Sequence, residues 1–343
     1  MWLGVWLAAL LWAIASYDDR DSPYTVAEWH QYVALSPPAL PRHRSNAMSD
    51  DFVVASGDGD ISNGDAKWFN ETQGHFDHRW YRYKPKYYAN QNTLWRLATA
   101  WLEYADQHKL DTWLAHGTLL GWYWNRLPLP WDNDLDVQIT ATSFEKLEAA
   151  NGTFFEWRHH QYYLDVNPHW RWRQGTKNNT IDARFIDTST GMYVDITVLS
   201  LAEDVPAIDF GELAEFDLVV DPQLRDKLST MIKSDVWRQQ RDQLRGQLVH
   251  CKDNHYYAID DIIPLVPTQM CGAVAWVPQR YRQILEREYP RGVRDTVYGD
   301  HTFHRQLRLW VKLWLCGSPG KCHNRAILQV AEVTKNYTAL LLP

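Results

Sequence analysis

Alternating carboxylates lead into an apolar, β-branched run in the segment Trp131-Asp132-Asn133-Asp134-Leu135-Asp136-Val137-Gln138-Ile139. The alternation predicts a strand that carries Asp132, Asp134 and Asp136 on one face and the apolar side chains on the other. Carboxylates about 6.5–7 Å apart along a strand repel and raise one another's pKa unless a cation lies between them. The segment therefore predicts a divalent-metal site.

The segments on either side predict elements that complete such a site. Upstream, the apolar spacing predicts a helix over 92–108 and a strand over 112–115, after which the turn His116-Gly117-Thr118 opens a helix over 119–124. Backbone N–H groups at a helix start bind phosphate. Downstream, strands are predicted over 183–187 and 192–199. Asp195 lies in the second strand, where burying a carboxylate is costly unless it is paired or metal-bound.

Two helix boundaries and one loop complete the local predictions. Thr142 and Glu145 form a capping box for a helix over 144–150, and Pro278 begins a helix that runs through Tyr289. The segment 74–81 contains His75, Asp77 and His78, which lie either in a surface loop or at a metal.

Composition limits the classes of partner. The net charge is −7 and no Lys/Arg block occurs, so no nucleic acid partner is expected. The chain has 19 Trp and 18 Tyr, which indicate either a Trp-rich core or stacking against sugar or nucleotide rings. An EF-hand loop counted from Asp132 requires Gly at 137 and Glu at 143, whereas the chain has Val137 and Ser143, so that class of calcium site is excluded.

The N-terminal region predicts a secretory route. Residues 1–15 form a signal peptide or a short anchor, because the uncharged run ends in Ala13-Ile14-Ala15. Residues 16–86 are predicted to be a lumenal stem or an arm wrapping the domain, 87–325 the catalytic domain and 326–343 a C-terminal tail. Glycosylation sequons begin at Asn70, Asn151, Asn178 and Asn336. We expect residence in the Golgi lumen or membrane, with secretion as the alternative.

The four cysteines agree with an oxidising compartment. The preferred disulfides are Cys316–Cys322, which closes a short loop, and Cys251–Cys271. A zinc site made of cysteines is the alternative, but no Cys-x-x-Cys spacing supports it.

Several spaced motifs resemble one family. HGTLLGW at 116–122, followed by LPWDNDLD at 129–136, is similar to the LicD/fukutin signature GTLLG…PWDxDhD, where h is apolar. RFID at 184–187, GMYVDI at 191–196 and HYYAIDDIIPL at 255–265 continue the resemblance, which covers roughly 87–293. The residues around Gln138 and Arg184 look most similar to the fungal branch associated with mannosylphosphate transfer.

The resemblance implies an α/β (α+β) nucleotidyltransferase-like fold with a small mixed sheet flanked by helices. It implies that Asp134, Asp136 and Asp195 bind Mg²⁺ or Mn²⁺, that Asp132 supports them, and that Gly117 and Thr118 form the donor-phosphate turn. The implied reaction moves a phosphate-linked group from a nucleotide donor, GDP-mannose or a CDP-linked compound, to a glycan hydroxyl.

Five further residues are weaker site candidates. His116 either contacts donor phosphate or packs, and Arg184 either pairs with Asp187 or clamps phosphate. Arg126, His255 and Asp260 complete the set.

Three other functions stay open. One is a regulator or adaptor of a Golgi mannosylphosphate transferase, and another is an Asp-x-Asp glycosyltransferase, against which the order of turn and acidic strand argues. The third is a carbohydrate-binding module, which rests only on the aromatic residues.

Overall fold

The structure is a computed structural model that describes residues 47–54, 67–84, 87–173, 179–201, 248–253, 255–305, 308–313, 316–318 and 321–322. The predicted segments 1–15 and 326–343 lie outside the described residues. Two compact units divide the chain, one of residues 40–293 and one of residues 1–39 with 294–343. Within the described ranges, no helix is both long enough and apolar enough to span a membrane.

The unit of residues 40–293 contains a 3-10 helix at Ser49–Phe52, five α-helices and twelve strands among its described residues. The helices are α1 Tyr87–Gln107, α2 His116–Asn125, α3 Ala141–Glu148, α4 Ile259–Ile262 and α5 Tyr281–Glu288. The strands are β1 Glu71–Thr72, β2 Phe76–Asp77, β3 Thr112–Leu114, β4 Leu135–Thr140, β5 Phe154–Trp157, β6 His160–Val166, β7 Ala183–Asp187, β8 Tyr193–Leu201, β9 Leu248–His250, β10 Tyr256–Ala258, β11 Val266–Met270 and β12 Ala273–Val277.

The other unit contains five short strands among its described residues. They are β13 Val297–Tyr298, β14 His301–His304, β15 Leu309–Lys312, β16 Cys316–Ser318 and β17 Lys321–Cys322. Strands β13, β14 and β15 form one antiparallel sheet, and β16 pairs with β17.

A mixed sheet of eight strands organises the larger unit. Strands β10, β9, β8, β7, β6 and β5 follow one another in antiparallel pairs, while β4 pairs with β8 in parallel and with β3 in antiparallel. Every residue of β8 is buried, so both faces of this central strand are covered. The mixed sheet flanked by helices confirms the predicted α/β class.

Aromatic residues fill much of the core beneath helix α1. Its Trp101 and Tyr104 contact Phe185 of β7, with ring centroids 5.6 and 5.5 Å apart. Tyr162 of β6 also stacks on Phe185, with ring centroids 5.0 Å apart. Aromatic pairs of this kind stabilise a core by about 0.5–1.5 kcal/mol beyond the burial of their area. Eight tryptophans are buried among the described residues, which favours a core role for them.

Three predicted boundaries are wrong. Strand β4 begins at Leu135, so Asp132 and Asp134 precede the strand. The Asp132 N–H closes a turn by donating to Leu129 O at 3.1 Å, and Asp134 lies in the bend that follows. Thr140 rather than Thr142 caps helix α3, because its Oγ1 accepts from Ser143 N–H at 3.2 Å.

The third boundary concerns helix α5. It starts at Tyr281 instead of Pro278, since the N–H groups of Gln279 and Arg280 donate to carbonyls at 262 and 261 of α4. These hydrogen bonds connect residues 279 and 280 to α4, so helix α5 begins only after them.

The predicted Cys251–Cys271 disulfide is wrong. Both cysteines are buried and free. Cys251 follows β9 and its thiol donates to Asp253 Oδ1 at 2.6 Å, whereas Cys271 occupies the β11–β12 turn. Cys316 and Cys322 are backbone register partners in the β16–β17 pair, and their disulfide stays a prediction.

The described residues 67–84 contact the sheet rather than projecting from it. Asp77 N–H donates to Gly191 O at 2.8 Å, and Arg79 Nη2 donates to Asp165 Oδ2 at 2.6 Å. Gly191 lies in the β7–β8 turn with φ +80°, and a Cβ there would come within 2.9 Å of both Asp77 O and Tyr81 N. The contact therefore requires glycine.

Gly191→Ala tests this contact. We expect it to lower the free energy of unfolding by about 1–2 kcal/mol for the left-handed backbone and by a further ~1–3 kcal/mol for the backbone clash. The matched control is Gly152→Ala, since Gly152 has φ +77° but its Cβ would meet only Tyr163 Oη at 3.8 Å. Urea unfolding measures both variants, and equal losses would show that residues 67–84 do not press on the β7–β8 turn.

Candidate functional site

The aspartates of the acidic segment converge where β4 lies beside β8. Asp136 and Asp195 are direct partners in the parallel register of these strands. A Cβ built on Gly117 would lie 3.4 Å from Asp132 Oδ2 and 3.6 Å from Asp136 Oδ2. Two carboxylate oxygens from different positions of the turn and strand therefore meet at the backbone of Gly117. The structure thus brings together Gly117, Asp132, Asp136 and Asp195, four of the residues that the sequence predicted to share a site.

The predicted turn 116–118 forms the first turn of helix α2, which begins at His116 and not at 119. This first turn together with Ala115, called here the β3–α2 turn, holds the arrangement. His116 adopts a left-handed backbone conformation with φ +45°, which is uncommon for a residue other than glycine. Thr118 Oγ1 accepts the Asp136 N–H at 2.7 Å, and the Ala115 N–H donates to Asp136 O at 3.2 Å. The turn therefore fixes the backbone of Asp136 from both sides.

Burial makes the carboxylates costly to ionise. It raises the pKa of Asp132 to about 7, with the charge of Asp134 adding to the shift. It also raises the pKa of Asp195 to about 6, although Arg184 opposes the change. The pKa of Asp136 is raised well above its usual range by burial and by the neighbouring aspartates. Without a cation, the cluster holds protons at pH values where isolated aspartates are ionised.

These carboxylates suit a hard divalent cation. Mg²⁺ and Mn²⁺ favour carboxylate oxygen ligands, and a cation would relieve the repulsion that raises the pKa values of the aspartates. The missing Cβ of Gly117 leaves the two oxygens of Asp132 and Asp136 accessible from the turn. The chemistry of the donor set therefore fits the metal that the sequence predicted.

Two protein cations contact the cluster. His75 Nδ1 lies 2.9 Å from Asp134 Oδ2, and this hydrogen bond raises the pKa of His75 to about 9. Arg184 Nε donates to Asp195 Oδ1 at 2.7 Å, and its Nη2 donates to Glu71 Oε1 at 2.6 Å. Each of these basic groups partly neutralises one aspartate.

The predicted pairing of Arg184 with Asp187 is wrong. The two residues are three positions apart on β7, and an odd separation sends strand side chains to opposite faces. Arg184 instead faces Asp195, its register partner on the adjacent strand β8. The Arg184 guanidinium also lies 3.7 Å from the ring centroid of Tyr193.

The comparison with known proteins agrees with this geometry. Residues 109–205, which include the turn, β4 and Asp195, match the family model described as LicD/FKTN/FKRP, nucleotidyltransferase domain. This segment is therefore similar to the LicD family. The family resemblance seen in the sequence is thereby confirmed.

Two yeast proteins are similar to the chain that carries this LicD domain. Mannosyltransferase regulator 4 of Saccharomyces cerevisiae is 24% identical over 310 residues, covering 66% of this chain and 25% of that protein. Mannosyltransferase regulator 14 of the same yeast is 33% identical over 121 residues, covering 30% of this chain and 12% of that protein. The chain therefore spans a quarter or less of the length of these relatives.

The remaining predicted site residues lie in different places. His116 contacts Glu288 through Nδ1 at 3.1 Å, and His255 lies beside His116 with ring centroids 4.6 Å apart. Arg126 ends helix α2 in a left-handed conformation. Asp260 is exposed on α4, and none of the contacts described for it joins it to the aspartates of the LicD domain.

Three residues at the site escaped the sequence analysis or received little weight there. His75 stood in the acidic and histidine-rich segment 74–81, but the structure brings only His75 to the aspartates, since Asp77 pairs with Arg79 and His78 contacts Asn70 O. Glu71 and Glu288 had no local signal. Their partners are 113 and 172 positions away in the chain, a separation that periodicity cannot reveal.

The raised pKa values predict how pH affects the LicD domain. A folded state that binds protons more tightly than the unfolded state loses stability as the pH rises. For Asp132 and Asp195 this loss begins near pH 4, the usual pKa of an unfolded aspartate, and continues through their folded pKa values of about 7 and about 6. The raised pKa of His75 acts in the same direction above pH 6.5. Metal-free protein should therefore unfold at a lower temperature at pH 7.5 than at pH 5.

Mn²⁺ should reverse this loss. At a free concentration 100 times its Kd, a bound ion adds about 2.7 kcal/mol to the free energy of unfolding. The thermal shift should be larger at pH 7.5 than at pH 5, because the ligands must lose their protons. Asp136→Asn should raise the metal-free melting temperature at pH 7.5 and abolish the Mn²⁺ shift. An unchanged shift in that variant would contradict the assignment of Asp136.

Proposed function

We propose that this chain transfers a phosphate-linked group, with mannose phosphate as the preferred assignment, from a nucleotide donor to a glycan hydroxyl. The observation that carries the proposal is the convergence of Asp132, Asp136 and Asp195, with Asp134 in the same segment, at the turn of a LicD nucleotidyltransferase domain. The names of the two yeast relatives, both mannosyltransferase regulators, support a role in mannose-containing glycans. The sequons and the N-terminal apolar run support a lumenal location.

In this proposal the aspartates hold Mg²⁺ or Mn²⁺. The bound ion would neutralise charge on the donor's phosphate oxygens. Thr118 fixes Asp136 through its N–H, and the left-handed turn at His116 brings Gly117 against the carboxylates without a side chain in the way. The N–H groups at the start of α2 have no partners within the helix and suit a phosphate of the donor.

The proposed reaction is a displacement at phosphorus. The oxygen of a glycan hydroxyl forms a bond to the phosphorus that carries the sugar, and the bond from that phosphorus to the nucleoside monophosphate breaks. The nucleoside monophosphate leaves with the bonding electrons. Asp132 is our candidate for accepting the hydroxyl proton, since its carboxylate lies beside that of Asp136 at the backbone of Gly117.

A donor screen tests the transfer. Purified protein with Mn²⁺, a mannan acceptor and GDP-mannose, CDP-linked or UDP-linked donors should form a phosphodiester product and release a nucleoside monophosphate. Release of a nucleoside diphosphate with transfer of the sugar alone would instead identify an Asp-x-Asp glycosyltransferase. No product with any donor would contradict the catalytic proposal.

Asp136→Asn gives the matched mutational test. We expect turnover to fall by at least about 100-fold, because removing a group that stabilises transition-state charge costs roughly 10²–10³ in rate. Glu156→Gln is the control, since Glu156 is an exposed carboxylate on β5. Initial rates of nucleotide release compare the two variants, and equal rates would remove Asp136 from the mechanism.

A second function is regulation of a separate mannosylphosphate transferase. The names of the yeast relatives favour it. It is also favoured by the ion pairs of His75 with Asp134 and of Arg184 with Asp195, which partly neutralise the aspartates without a metal. Adding the protein to Golgi membranes that lack it tests this function. A regulator predicts that wild type and Asp136→Asn restore mannosylphosphate transfer equally, whereas an enzyme predicts that only the wild type does.

A further inference from the structure

A second cluster of ligand-type side chains lies on the other side of the β3–α2 turn. His116, Asp253 and His255 each offer one ligand atom, and these atoms all lie within 4.8 Å of one another. The cluster joins the start of helix α2 to the segment between β9 and β10. It uses none of the four aspartates that form the proposed magnesium or manganese site.

Glu288 orients the His116 ring and lies beside the His255 ring. Its carboxylate is almost completely buried and lies 3.1 Å from His116 Nδ1 and 3.6 Å from His255 Nδ1. Tyr257 Oη also donates to Glu288 Oε1 at 2.7 Å. A carboxylate that receives the Nδ1–H of a histidine leaves the Nε2 lone pair for a metal, and metal-bound histidines commonly have such a partner.

One neighbouring contact agrees with this protonation of the His116 ring. Trp113 Nε1 donates to Gln138 Oε1 at 3.1 Å, which turns the amide nitrogen of Gln138 towards His116 Nε2 at 3.5 Å. A donor on that side matches a lone pair on Nε2, which a metal ion would bind in place of the Gln138 amide. On the other ring, His255 Nε2 faces Asp253 Oδ2 at 3.8 Å.

Asp253 is also held in place. The buried Cys251 thiol donates to Asp253 Oδ1 at 2.6 Å, and this bond leaves Oδ2 on the side of His255. Two imidazole nitrogens and one carboxylate oxygen form a ligand set that zinc and similar transition metals accept. Two ligand atoms of a tetrahedral zinc site with Zn–N bonds of about 2.0–2.1 Å lie closer together than the ligand atoms of this cluster. The difference in the distance between ligand atoms is about 1.5 Å at most. Small side-chain rotations close that gap.

We propose that His116, Asp253 and His255 bind a zinc-type divalent ion, with Glu288 as a positioning residue. The site fastens the β3–α2 turn to the β9–β10 segment. Because His116 directly precedes Gly117 and Thr118, the ion holds the turn that contacts Asp132 and Asp136. This inference concerns metal binding alone and does not depend on whether the protein is a transferase.

Cobalt absorption tests the site in the full-length chain. Protein stripped with a chelator is titrated with Co²⁺, whose visible bands report coordination by nitrogen and oxygen ligands, and Zn²⁺ then displaces it. We expect one Co²⁺ with these bands in the wild type and in Asp136→Asn. The bands should disappear in His255→Gln and in Asp253→Asn, while circular dichroism reports that each variant is folded.

Two further variants sharpen the result. His108→Gln is the matched control, because His108 is an exposed histidine outside the cluster and should leave the bands unchanged. Glu288→Gln should weaken Zn²⁺ binding by roughly 10–100-fold, the usual cost of losing a histidine's orienting carboxylate. Bands that persist in folded His255→Gln and Asp253→Asn would overturn the proposal. Bands lost in Asp136→Asn would overturn it as well, since the ion would then lie among the aspartates.

Discussion

The parallel pairing of β4 with β8 is the constraint on which the rest of the site depends. It sets Asp136 directly opposite Asp195, in a sheet whose central strand is covered on both faces. Apolar residues on either side of these aspartates, such as Val137 and Ile196, are completely buried or nearly so. A register shift of one residue would turn every side chain of the shifted strand to the opposite face. The packing of the core therefore forces two carboxylates together.

The neighbouring elements reduce the repulsion between these carboxylates. The β3–α2 turn contributes a glycine where a side chain would crowd Asp132 and Asp136, and it fixes Asp136 through Thr118. His75 and Arg184 provide positive charge from a hairpin and from β7. Buried carboxylates still have raised pKa values, so the site costs stability when no cation is bound. Such local instability is typical of a site selected for binding rather than for folding.

The sequence predicted the central elements well because their signals are local. Strands β7 and β8 follow from apolar runs around the turn that ends at Gly191, and the approach of Gly117, Asp136 and Asp195 follows from the spaced family motifs. Other features depend on contacts between distant segments. Glu71, His75 and Glu288 contact residues of the site that are distant in the sequence. Arg184 pairs with Asp195 because of how β7 aligns with β8, and the sequence of β7 alone does not determine that alignment.

A crystal structure of the protein soaked with Mn²⁺ would examine the aspartate cluster directly through anomalous scattering. We expect an anomalous peak beside the carboxylates of Asp136 and Asp195, at the distance of about 2.0–2.2 Å typical of small divalent ions bound by oxygen. The same peak should be absent from Asp136→Asn crystals soaked in the same way. A wild-type map with no peak there, and with His75 and Arg184 still bound to Asp134 and Asp195, would contradict a metal-binding role for the cluster.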